Sequence, residues 1–95
     1  MIFLFLFFSI LLSLSNSESL EFKNLEDGVY VHFGKQEDSN KNNLGDISNL
    51  GFIVGSKSIA IIDSGASVKI ASEMLKKIKK TSNLPISHVI ITHSH

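Results

Sequence analysis

Ninety-five residues leave room for one small domain at most. Nine lysines balance nine acidic residues and arginine is missing altogether, so the basic stripe of a nucleic-acid-binding surface is not there and no nucleic-acid partner is expected. The chain has no cysteine, which rules out disulfide support for a core that, at this size, barely offsets the entropy of ordering the chain.

The first fourteen residues, MIFLFLFFSILLSL, are apolar apart from Ser9 and Ser13. A bilayer span takes about 20 residues, so this run is short for one. It reads as the apolar core of a signal peptide over residues 1–17, with Ser15-Asn16-Ser17 as a small-x-small cleavage site. The expected product is exported to the periplasm or secreted, without a stable membrane span. No Lys or Arg precedes the run, a departure from the usual charged start, and an uncleaved anchor or a mis-called start codon are the alternatives. Residues 18–95 then form the domain.

Asp27-Gly28 is a turn signal, and Val29 to Phe33 is a β-branched and aromatic run closed by Gly34, which predicts a strand. Gln36 to Asn49 is rich in Asn, Asp and Ser and reads as a surface loop, longer than a hairpin needs. Two apolar runs follow, Leu50 to Val54 and Ile59 to Ile62, separated by Gly55-Ser56-Lys57-Ser58, the pattern of a hairpin. The second run is continuously apolar, which predicts burial on both faces.

From Ser67 to Lys80 the period becomes helical. Val68, Ala71, Leu75 and Ile78 form the expected apolar stripe, widened by Ile70 and Met74, with Ser67 as N-cap. Lys76, Lys77, Lys79 and Lys80 crowd the end where the helix dipole favours cations, and read as a solvated helix terminus. Thr81 to Pro85 ends the helix, and Ile86 to Thr92 is expected to be another buried strand. Strand, helix, strand predicts a right-handed βαβ crossover and an α/β fold.

The last strand leads into Thr92-His93-Ser94-His95. In an extended backbone residues i and i+2 point to one side, so His93 and His95 present two imidazoles to one point, half of a metal site. A frayed polar terminus is the plain alternative. His32 and His88 sit inside strand patterns without a nearby partner and read as ordinary packed or half-exposed histidines. Asp63, in Ile62-Asp63-Ser64-Gly65, reads by itself as an Asx-type turn residue where the strand ends.

The order of these features resembles the amino-terminal part of the metallo-β-lactamase superfamily. There an Asp-x-Gly turn closes an early strand, and a later strand leads into a Thr-His-x-His-x-Asp-His metal motif. The stretch Asn49-Leu50-Gly51-Phe52-Ile53-Val54-Gly55 is similar to the hairpin of one branch, the quinoprotein relay zinc metallohydrolases. The resemblance implies an αββα sandwich, present here only as an incomplete amino-terminal portion. It implies one or two Zn(II) ions in the complete domain, with His93 and His95 as two of three histidines on the first ion. Asp63 would then steady the histidine-bearing loop.

The motif's Asp and His, and the third histidine, do not occur within the 95 residues, so a truncated and inactive piece of an exported hydrolase is the expectation. Its reaction would be attack of metal-activated water on an ester, thioester, amide or β-lactam of a small-molecule substrate. An iron-binding redox or oxygenase-type relative, and a short exported binding module without catalysis, are the alternatives.

Overall fold

The computed structural model describes residues 20–93; the expected signal peptide, 1–17, lies outside them. Five strands form one sheet in sequence order: β1 (Lys23–Glu26), β2 (Val29–His32), β3 (Leu50–Val54), β4 (Ile59–Ile62) and β5 (Ile86–Ile90). Helix α1 (Val68–Thr81) connects β4 to β5. The first four strands run antiparallel to their neighbours, and β5 lies parallel to β4. The expected crossover is therefore present, with its helix on one face of the sheet.

Strand β1 was not foreseen. Its sequence, Lys-Asn-Leu-Glu, is exposed throughout and has no apolar alternation; pairing with β2 is what makes it a strand. Gly28 turns the chain between the two with φ +78°, a conformation glycine adopts without steric cost. A Cβ placed there would stand 2.5 Å from the Val54 carbonyl oxygen, so the close approach of β3 adds a second reason for glycine.

The β3–β4 hairpin closes as expected, with Gly55 N–H donating to the Ser58 carbonyl. Cross-strand register places Tyr30, Phe52 and Ile61 in one row. Tyr30 stacks on Phe52 at 4.8 Å between ring centroids. Leu50, Phe52, Ile59 and Ile61 from the sheet meet Ile70, Met74 and Ile78 from α1 to form the core.

The helix has its expected N-cap, Ser67, whose hydroxyl accepts from Ile70 N–H and donates to the Leu44 carbonyl. Its buried stripe, however, is centred on Ile70, Met74 and Ile78. Val68 is 84 % exposed and Leu75 42 %. Successive residues turn roughly 100°, so Leu75 points well away from the line through Met74, and the sheet selects the narrower i, i+4, i+8 face.

Burial on the strands also differs from expectation. In β4 Ile59 and Ile61 are buried while Ala60 and Ile62 are only half-buried, because the helix covers one face of the sheet. Every residue of β5 is exposed, although an apolar run there predicted burial. It is an edge strand beyond the reach of the helix, and Val89, Ile90 and Ile91 remain open to solvent among the described residues.

Candidate active site at the ends of strands β4 and β5

The carboxyl ends of β4 and β5 lie side by side because the two strands are parallel. Asp63 leaves β4 with φ +59°, a left-handed conformation that Asp tolerates better than most residues. Its N–H donates to the Ile90 carbonyl at 2.8 Å, which ties the turn to β5. Two residues on, Gly65 has φ +86°, and a Cβ there would meet Ile70 Cγ2 at 2.6 Å. The glycine of the Ile-Asp-Ser-Gly turn thus follows from seating the start of α1 against the turn.

Asp63 is 9 % exposed, and both of its carboxylate oxygens are engaged by Thr92. The Thr92 N–H donates to Oδ1 at 2.8 Å and the Thr92 hydroxyl to Oδ2 at 2.6 Å. The hydroxyl bond, then the N–H bond, hold the Asp63 carboxyl below its ordinary value of 3.8; burial opposes them and the neighbouring His93 adds to them. His93 follows directly, its Nδ1 2.9 Å from Thr92 Oγ1 and 3.9 Å from Asp63 Oδ1. A cavity of about 410 Å³ opens here, lined by Asp63, Ser64, Gly65 and His93 with Ile47 and Ser48 opposite.

The structure therefore brings Asp63 and His93 near one another, with Thr92 between them. His95 lies outside the described residues. His88 is exposed, with its Nδ1 2.8 Å from Ser87 Oγ, and joins no cluster. Among the described residues no group of three or more His, Cys, Asp or Glu is placed to hold a metal ion. The residues present offer one imidazole donor with a carboxylate nearby, which fits a metal site as part of a larger ligand set.

Two participants escaped the reading of the sequence. Thr92 links Asp63 to His93, and the Thr preceding the histidine pair was the available signal. His32, expected to lack a partner, is instead buried between two acceptors: Nδ1 is 2.7 Å from the Glu21 carbonyl oxygen and Nε2 2.6 Å from Asp46 Oδ1. Asp46 is delivered by the loop after β2, which folds around Asn40 and buried Asn43. Nothing local in the sequence marks a partner fourteen residues away.

A parallel β4–α1–β5 unit with an aspartate and a histidine at its strand ends is consistent with a metal-dependent-hydrolase-like fold. The family model of the metallo-β-lactamase superfamily matches residues 44–95, more than half of the chain, and the chain belongs to that superfamily. Its members are mostly hydrolases and typically bind metal ions. No curated protein matches the chain.

Proposed function

We propose that this protein contributes the amino-terminal half-site of an exported zinc hydrolase, in which His93 and His95 hold the first metal ion and Asp63 supports them from beneath. The observation that carries the reading is the His93 ring beside the Asp63–Thr92 pair at the carboxyl ends of parallel strands, where open α/β sheets bind their ligands. Zn(II), when bound, supplies a Lewis acid that lowers the pKa of a water to roughly 7 and polarises the carbonyl of an ester, thioester or amide, β-lactams included.

The chain's own residues hold and orient. The buried Asp63 carboxylate fixes Thr92, and Thr92 in turn faces the His93 ring. The cavity walls, Ile47 and Ile91 among them, give a small-molecule carbonyl an apolar surface beside the histidine. His32 is engaged by Glu21 and Asp46, and His88 contacts Ser87. A third imidazole therefore has no ready source among the four histidines, and in this reading the full domain supplies it along with the ligands of any second ion. The 95 residues alone are then catalytically silent.

The sequence of Asn49 to Gly55, which covers β3 and opens the turn toward β4, is what supports the quinoprotein relay branch within the family. The apolar run at residues 1–14 supports export.

The test measures zinc per polypeptide and turnover of reporter esters, thioesters and β-lactams by the full-length protein. The His93→Ala, His95→Ala double variant is expected to lose the first-site zinc and most of the turnover, while His88→Ala keeps both. Full metal and full activity in the double variant would sink the assignment.

A further inference from the structure

His32 closes β2 with both ring nitrogens against acceptors, Nδ1 2.7 Å from the Glu21 carbonyl oxygen and Nε2 2.6 Å from Asp46 Oδ1. A backbone carbonyl only accepts, and so does a carboxylate at neutral pH. A neutral imidazole has one N–H and one lone pair, so either tautomer would satisfy one oxygen and press a lone pair on the other. The imidazolium donates to both. Placing the shared proton on Asp46 instead would leave it on the more acidic type of group, since a carboxyl ordinarily ionises well before an imidazolium does. The two side chains are 8 % and 16 % exposed, and with so little water between them opposite charges attract more strongly.

The surroundings leave Asp46 as the counter-charge. Lys23 of β1 lines the same cavity as His32, but its Nζ lies over the Phe33 ring, 5.7 Å from the centroid. Glu21 meets His32 through its backbone carbonyl, and the Phe22 ring centroid is 5.5 Å from that of the imidazole. Beyond Asp46, Lys35, Lys69 and Glu73 border a second cavity, where Glu73 is held by Lys69 and Lys76 at 3.6 Å each. Asp46 is thus the carboxylate in ion-pair contact with His32 among the described residues. The next two residues, Ile47 and Ser48, line the cavity at the ends of β4 and β5.

From this geometry we infer that His32 is a positioning residue that works as an imidazolium latch: it donates from both ring nitrogens, ties the segment before β1 to the loop after β2, and so seats Ile47 and Ser48 as a wall of the candidate site. What the wall does for a substrate rests on the function proposed above; the charge on His32 and the seating of the loop do not. Other bonds fasten the loop to itself or to the helix cap, from Lys35 N–H to the Asp46 carbonyl, from Asp46 N–H to the Asn43 carbonyl and from the Ser67 hydroxyl to the Leu44 carbonyl. The bond from His32 to Asp46 joins it to a strand.

Nitrogen–proton correlation spectra of the metal-free, nitrogen-15-labelled full-length protein at neutral pH count the protons on the His32 ring. The wild type is expected to carry two. Asp46→Asn is expected to carry one, on Nδ1, with the new amide turned to donate to Nε2, whereas Asp46→Ala leaves that nitrogen without its partner. Amide-exchange protection at Ile47 and Ser48 should fall about 10-fold in Asp46→Ala, the order expected for losing one bond to a charged group, and less in Asp46→Asn. With a reporter ester, Asp46→Ala should raise KM several-fold while kcat holds, because the latch acts on the wall and not on the reacting atoms.

A wild-type His32 ring with a single N–H overturns the inference by itself, without any variant having to fold. Two ring protons retained in Asp46→Asn, unchanged protection in a folded Asp46→Ala, or kcat lost at unchanged KM overturn it too. If the proton count and the protection behave as expected but none of the three proteins turns over the reporter, the latch stands and the hydrolase function falls.

Discussion

Replacing Asp63 separates what its carboxylate does from what its backbone does. Asp63→Ala removes the acceptors of two short bonds, from Thr92 N–H at 2.8 Å and from its hydroxyl at 2.6 Å. Bonds to a charged group contribute roughly 1.5–3 kcal/mol each when both partners are buried. Thr92 is exposed, so its freed donors rehydrate and about 1 kcal/mol apiece is the better figure. Alanine at φ +59° adds about 1 kcal/mol of left-handed backbone strain, for a total of about 3 kcal/mol. Asp63→Asn tolerates that φ and keeps one acceptor oxygen, so its cost is about 1 kcal/mol. Urea denaturation of the full-length protein, read with a common slope, measures both.

The pH dependence has a definite sign. The folded carboxyl titrates below its ordinary value of 3.8, so its stabilisation is complete above about that pH and disappears as pH falls through the depressed folded value. The stability gap between wild type and Asp63→Asn should therefore be constant near neutrality and close on acidification below 3.8. Equal losses under about 0.5 kcal/mol for both variants, the scatter of ordinary surface changes, would refute the reasoning.

Gly65→Ala sets a Cβ 2.6 Å from Ile70 Cγ2 at φ +86°, so it should destabilise by about 2 kcal/mol or more and loosen the start of α1, measured by urea denaturation and amide exchange near Ile70. His32→Ala strips partners from Asp46 and the Glu21 carbonyl and should cost about 2–3 kcal/mol, whereas His88→Ala on the exposed edge stays within about 0.5 kcal/mol; equal effects would remove the structural role of His32. The exported product should begin at Glu18, and mass spectrometry that finds Met1 retained in a membrane pellet would favour an anchor instead.

Local chemistry was enough to read most of the elements. The β3–β4 hairpin, the Ser67 cap, the change to helical period and the crossover into β5 all follow from residues close together in the chain, where alternation, caps and turn residues act. The Thr-His-x-His run and the Asp-x-Gly turn were legible for the same reason, and with them the superfamily. Only the tertiary structure decided which atoms meet. Asp63 and Thr92 are twenty-nine residues apart, and it is the parallel pairing of β4 with β5 that sets the carboxylate against the hydroxyl and the hydroxyl against His93. His32 gained its partners the same way, from a loop and a segment that no local pattern links to it. The burial of β5 was misread because an apolar strand specifies what it can pack against, while its position at the sheet edge, beyond the helix, determines what covers it.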